Sequence, residues 1–238
     1  MIKTLLFDLD GTLLPIDTDL FLSGYFKLLS KKIHWVDPEY FAKCLMSSTY
    51  SVINNQDPAK TNSQVFWDEF LPKMPLKSKE LEPIFEEFYI RDFPKLSSIA
   101  DRSPYPYQIL SSAHKKGYEL VIATNPVFPK SAIRERLRWT DALEFPYKLI
   151  TCYETMHSTK PHIEYYKEIL NKIDRNPEEC MMIGNDVEED MIAAKLGMKT
   201  FLVTDYMLNR KNLAINTDFT GSLKDLTRFI DNLEEVCQ

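Results

Sequence analysis

The sequence predicts an α/β protein: a Rossmann-like parallel sheet whose first strand is separated from the others by an inserted all-helical segment. Three observations carry this reading. A short apolar run, Thr4 to Phe7, ends at Asp8 with Gly11 just beyond, which is the length and punctuation of a buried strand. From Ser103 onward, strand-like and helix-like segments alternate, the pattern that builds a parallel sheet covered on both faces by helices. Between the two, residues 15–102 are rich in aromatic residues and helix signals and poor in strand signals. The expected division is therefore a core of residues 1–14 and 103–238 and a helical insertion of residues 15–102.

Within the insertion, Asp19 to Ser30 places Leu20, Phe21, Gly24, Leu28 and Leu29 at roughly helical intervals. Asp37 followed by Pro38 is an N-cap with proline at the first helical position. Asn62 to Phe70 and Ser78 to Tyr89 read as two further amphipathic helices, with a polar loop at Asn54 to Asn62. The aromatic set Phe66, Trp67, Phe70, Phe85, Phe88 and Tyr89 reads as the core of this segment. In the second half, a helix from Pro104 to Lys116 stops at Gly117. Strands are expected at Tyr118 to Ala123, Leu149 to Cys152, Cys180 to Ile183 and Thr200 to Val203. Helices are expected at Lys130 to Arg138, Pro161 to Asn171 and Glu188 to Leu196, the last closed by Gly197, and at the end of the chain.

Composition narrows the function. The 238 residues are 44% hydrophobic and 27% charged, ordinary for a soluble globular protein. A net charge of −6 provides no basic footprint for nucleic acid. No apolar run reaches the ~20 residues needed to span a bilayer, and the opening ten residues carry acids too early for a signal peptide. The four cysteines, Cys44, Cys152, Cys180 and Cys237, form no CxxC pair and suggest neither a zinc site nor a disulfide framework. The chain reads as cytoplasmic.

Ligands of open α/β sheets bind beyond the carboxyl ends of the strands. Those ends carry Asp8-Leu9-Asp10-Gly11-Thr12, then Thr124-Asn125, then His157-Ser158-Thr159-Lys160-Pro161, then Gly184-Asn185-Asp186 with Asp190 four positions after Asp186. Carboxylates, hydroxyls and one ammonium thus gather at one edge of a sheet.

This ordered set resembles the four motifs of the haloacid dehalogenase superfamily, over residues 1–14 and about 103–205. Asp8, Asp10 and Thr12 match its first motif, Thr124 its second, Lys160 its third, and Asp186 with Asp190 its fourth. At average residue frequencies an Asp-x-Asp-Gly-Thr string arises by chance in about one chain of this length in five hundred. The resemblance departs at Asn185, which stands where the fourth motif usually has its first acid. It implies a phosphatase of small phosphorylated metabolites working through an aspartyl-phosphate. Asp8 is then the nucleophile, and Asp10 the acid and base. Lys160, Thr124 and Asn125 would hold the phosphoryl group. Mg²⁺ would be bound by Asp8, Asp10 through its backbone carbonyl, and Asp186, with Asn185 as the rival ligand. Thr12, Asn185 and Asp190 would support the site. A second acid at position 10 is what phosphatases of this superfamily have and dehalogenases lack.

The chemistry suits these residue types. Hydrolysis of a phosphate monoester is among the slowest uncatalysed reactions, and its catalysis is mostly positioning and electrostatics. A carboxylate nucleophile divides the reaction into two displacements, and a hard cation such as Mg²⁺ takes oxygen ligands. Cap residues Lys31, Lys32, Arg91 and Lys95 are candidates for substrate selection. Leu14-Pro15 to Asp19 and Ile99 to Tyr105 are the expected hinges.

Each residue alone has a plainer reading. Asp8 and Asp10 could form a surface turn, Thr124 a helix N-cap, and Lys160 a solvated lysine before a helix. Asp186 and Asp190 could be acids favoured at a helix N-terminus. Arg134, Arg136 and Arg138 read as a solvated helix face, and His34, His114, His157 and His162 show no metal spacing. Competing functions are a signalling receiver domain, a phosphomutase or phosphonatase on the same core, and a weakly active regulatory or binding protein.

Overall fold

The structure, a computed structural model, describes residues 1–236; Cys237 lies outside the described residues. Six parallel strands form one sheet in the order β3-β2-β1-β4-β5-β6. They are β1 (Thr4–Phe7), β2 (Glu119–Ile122), β3 (Tyr147–Ile150), β4 (Cys180–Gly184), β5 (Lys199–Val203) and β6 (Phe219–Gly221). Both β1 and β4 are buried along their whole length, as the continuous apolar runs TLLF and CMMIG require of strands covered on both faces. Chain order reverses between β1 and β4, so the crevice at their carboxyl ends is the place where such sheets bind ligands.

Four helices stand between β1 and the returning core: α1 (Thr18–Lys32), α2 (Pro38–Ile53), α3 (Asn62–Phe70) and α4 (Ser78–Arg91). Local chemistry starts three of them. The Asp17 and Asp37 side chains accept from the backbone N–H of Leu20 and Tyr40, and Thr61 forms a capping box with Gln64. The expected aromatic core is present, with Phe66 stacked on Phe70 and Phe85 edge-on to both Trp67 and Phe70. At about 1.5–3 kcal/mol for each fully buried side chain, such rings supply most of what holds these helices together.

The remaining helices belong to the sheet: α5 (Tyr105–Lys115), α6 (Lys130–Trp139), α7 (Ile163–Ile173) and α8 (Leu223–Asn232). Helix α5 packs on α8 and on β2. The two chain crossings between insertion and sheet touch each other, since Asp101 N–H donates to the Pro15 carbonyl at 2.8 Å. The insertion shares one hydrophobic cluster with the sheet helices, and Phe93 stacks on Trp139 of α6.

Three features differ from the sequence expectations. Glu188 to Leu196 is not an α-helix: residues 186–190 form a turn, and a short 3₁₀ helix covers Met191–Leu196. Asp190, expected on a helix face, turns inward to the site and sets this tighter geometry. Helix α7 begins at Ile163, two residues after Pro161, because Lys160 and its neighbours are held in the site. Strand β6 was not expected; three largely exposed residues carry no periodic signal. Among the described residues, Cys44, Cys152 and Cys180 are free and buried, and no helix is long and apolar enough to cross a membrane.

Candidate active site

The turn after β1 is built by Gly11. Its φ of +79° is open to glycine, and a Cβ there would meet the Asn185 amide nitrogen at 2.3 Å. This turn sends Asp8 and Asp10 to the β1–β4 crevice and folds Thr12 back onto Asp8.

Lys160 is the centre of the site. It is 1% exposed, and its Nζ donates to Asp8 Oδ1 at 2.8 Å and to Asp190 Oδ1 at 2.6 Å. Burial pulls its pKa down, but the Asp190 and Asp8 carboxylates together push it well above the ordinary lysine range, so it stays an ammonium. Burial raises Asp190, against the opposing pull of Lys160. The other Asp190 oxygen accepts the Asp186 N–H at 2.9 Å, and Gly184 makes room for it: a Cβ at Gly184 would lie 2.1 Å from Asp190 Oδ2.

The Thr12 hydroxyl reaches both Asp8 Oδ2, at 3.2 Å, and Asn185 Oδ1, at 3.1 Å. Asn185 is thereby seated beside Asp8, and its Nδ2 donates to the Tyr206 carbonyl at 2.6 Å. Asp186 Oδ1 accepts the N–H groups of Glu188 and Glu189, and its Oδ2 accepts from Arg210 Nη1 at 2.8 Å. Thr124 follows β2 and is buried; Tyr165 and Thr151 donate to its carbonyl at 2.9 and 2.7 Å. Asn125 Nδ2 donates to Glu189 Oε2 at 3.1 Å, while its buried Oδ1 has no partner. Asp10 pairs with Arg136 through one oxygen, and its other oxygen, Oδ1, is buried without a partner. Burial raises the Asp10 pKa and the Asp8 charge adds to the rise, with Arg136 opposing.

The structure therefore brings Asp8, Asp10, Thr12, Thr124, Asn125, Lys160, Asn185, Asp186 and Asp190 to one sheet edge. Most of them line a single cavity of about 300 Å³ whose far wall is the helical insertion. Four residues of the site were missed in the sequence. Arg136, expected on a solvated face, is 1% exposed and lies over the rings of Phe128 and Phe21 at 4.7 and 5.5 Å. Tyr206 and Arg210 arrive because the loop after β5 pairs Leu208 with the tip of β4; that polar loop carries no motif. Glu189 falls inside the stretch expected to be helical, and the turn that stands there instead places it on the cavity wall. The candidate selection residues Lys31, Lys32, Arg91 and Lys95 do not line the cavity. Lys32 pairs with Glu87 and Asp92, Arg91 with Glu87, and Lys95 with Asp92.

The donors near Asp8 fit a hard divalent cation in kind: the Asp8 and Asp186 carboxylates, the Asn185 amide oxygen and the Asp10 carbonyl are all oxygens. Among the described residues no cluster of three or more His, Cys, Asp or Glu side chains forms a metal cage, in keeping with a set completed by amide and carbonyl oxygens.

At the switch point of the parallel sheet, under the helical insertion, a buried lysine thus bridges two carboxylates. The chain belongs to the haloacid dehalogenase-like hydrolase family, which it matches over residues 2–197. It is similar to the pyrophosphatase PpaX of Anoxybacillus flavithermus, 23% identical over 214 residues that cover 90% of this chain and 88% of the relative. Its fold is similar to that of a HAD phosphatase from Thermococcus onnurineus, at a TM-score of 0.61 and 20% identity, covering 99% and 100% of the two chains. It also resembles the HAD-hydrolase YfnB of Bacillus subtilis, solved bound to magnesium, at a TM-score of 0.57 and 21% identity over 98% and 99% of the chains.

Proposed function

We propose that this hydrolase is a magnesium-dependent phosphatase that cleaves a small phosphorylated metabolite through a phospho-aspartate on Asp8. The observation that carries the reading is the seating of Asp8. It is nearly buried, with Lys160 on one oxygen and Thr12 reaching the other, and it lines a cavity of about 300 Å³. A carboxylate held in this way keeps a fixed line of attack.

In the first step an Asp8 oxygen attacks phosphorus, the bond to the leaving oxygen breaks, and Asp10 gives that oxygen a proton. In the second step Asp10 takes a proton from water as the water oxygen attacks phosphorus, releasing phosphate and restoring Asp8. Lys160, Thr124 and Asn125 bind the phosphoryl oxygens, Asp190 fixes the Lys160 ammonium, and Thr12 fixes Asp8. Asp8, the Asp10 carbonyl and Asp186, with Asn185 beside them, would hold Mg²⁺, and the ion would supply positive charge between carboxylate and phosphate. The cap helices exclude bulk water. The pyrophosphatase relatives and the magnesium bound by YfnB support phosphoryl transfer with this ion. A phosphonatase would use a cap lysine as a Schiff base, and among the described residues no cap lysine lines the cavity.

The test is hydrolysis of a generic aryl phosphate with and without Mg²⁺, using the wild type and Asp8→Asn. Turnover that needs both Mg²⁺ and Asp8 is expected. No turnover in either condition, or full turnover by Asp8→Asn, would refute the reading.

A further inference from the structure

The cavity has two chemically opposite ends. Its core end presents five carboxylates, Asp8, Asp10, Asp186, Glu189 and Asp190, four of them already paired: Asp8 and Asp190 with Lys160, Asp10 with Arg136 and Asp186 with Arg210. Arg210 is tied to Asp186 at 2.8 Å. Its cap end is apolar, formed by residues such as Phe21, Leu22, Phe26, Leu45, Met46 and Phe85. Three of the hydroxyls there are already paired: those of Tyr25 and Tyr89 are hydrogen-bonded at 2.9 Å, and Thr49 donates to the Leu45 carbonyl at 3.0 Å. None of the cap's lysines or arginines lines the cavity.

These observations settle what can sit under the cap. A leaving group carrying its own carboxylate or phosphate would be desolvated against rings, with no cation from the cap to pair with it. Burying an unpaired charge is among the costliest events in a protein. An uncharged hydrocarbon leaving group meets only favourable contacts, and each methylene it buries strengthens binding about fourfold.

We infer that the substrate is the phosphate monoester of an apolar alcohol, with its ring or short alkyl chain held among the cap aromatics. This deepens the phosphatase reading and rests on it. It sets this chain apart from the pyrophosphatase relatives, whose named substrate is charged at both ends.

Benzyl phosphate, 2-phosphoglycolate and inorganic pyrophosphate, compared with Mg²⁺ present, provide the test. Benzyl phosphate is expected to exceed the other two at least tenfold in kcat/KM. Calorimetric binding of the uncleavable benzylphosphonate should be at least tenfold tighter than that of phosphonoacetate. Met46, 54% exposed at the cavity wall, tolerates a charge, and Met46→Lys should cut both preferences at least fivefold. Equal rates, or preference for either charged substrate, would overturn the substrate class while leaving the phosphatase intact. Failure to hydrolyse any of the three, together with no labelling of Asp8 by acetyl phosphate, would instead remove the phosphatase reading and this inference with it.

Discussion

Arg136, itself 1% exposed, pairs with the part-buried Asp10 across the wall of the candidate site's cavity, 126 positions away in sequence. The guanidinium is packed against Phe21 of the cap and Phe128 of the core, so one side chain joins Asp10 to both parts of the molecule. Removing one member of such a pair leaves a buried charge alone and costs about 3–5 kcal/mol, whereas replacing both is far milder. Arg136→Met is therefore expected to lose about that much stability in urea denaturation and to lower kcat at least tenfold. Adding Asp10→Asn to Arg136→Met should recover much of the stability and none of the activity. A double variant no more stable than Arg136→Met would show that the pair is not the source of the loss.

Asn62 fastens the cap to the loops that carry Asn125 and Lys160. It is fully buried at the start of α3, and its Nδ2 donates to the carbonyls of Pro126 and Ser158, at 3.1 and 3.2 Å. These carbonyls follow Asn125 and precede Lys160. Its own N–H reaches the Met156 carbonyl at 2.8 Å. Asn62→Ala should cost about 1–3 kcal/mol, the loss of buried hydrogen bonds with their acceptors left unpaired. It should also raise KM and speed proteolytic cutting of the 54–61 loop. Unchanged cutting and KM would show that cap docking does not depend on this residue.

Much of this architecture was legible because strand ends in a parallel sheet are also where its chemistry stands. Asp8, Thr124, Lys160 and Asp190 were found by reading those ends, and the cap aromatics by their helical spacing. Arg136 was missed although its spacing carried a signal. Residues two apart on a helix stand roughly 200° round from each other. Arg134 and Arg138 thus share one face, and Arg136 falls opposite, beside Ile133 and Leu137. The turn at 186–190 was misread as helix because its acids suit a helix start equally well. Only the tertiary position of Lys160 draws Asp190 inward. Tyr206 and Arg210 could not be read at all, since a polar loop does not announce which strand tip it will pair with.

Glu119, at the opposite end of β2 from the site, gives the fold a predictable acid sensitivity. Burial alone would raise its pKa, but bonds from Lys148, Thr4 and Arg175 outweigh this and hold it below its ordinary 4.5. The distances are 2.6 Å to Lys148, 2.8 Å to Thr4 and 2.7 Å to Arg175 Nη2. A carboxylate with a lowered folded-state pKa adds stability that is complete above its unfolded value and disappears as pH falls through the folded one. Glu119→Gln should therefore be less stable than the wild type by about 1–3 kcal/mol at pH 7. The difference should shrink as pH drops below 4.5, with activity at neutral pH unchanged. Denaturation midpoints measured across this range would refute the account if the difference were constant.

Gly184 separates the roles of Lys160 and Asp190 without altering either residue. A methyl group there would collide with the Asp190 carboxylate, at 2.1 Å from Oδ2 and 2.3 Å from Cγ. The backbone of β4 is fixed between β1 and β5, so the side chain must yield. Asp190 then gives up Lys160 or the Asp186 N–H, and the ammonium loses the partner that aims it at Asp8. Gly184→Ala is expected to lower stability by about 1–3 kcal/mol through overpacking and to lower kcat at least tenfold with a smaller change in KM. Asp190→Asn, which keeps the shape but removes the charge, should reproduce the fall in kcat without the steric loss. If Gly184→Ala kept wild-type kcat, the hold of Asp190 on Lys160 would have no part in turnover.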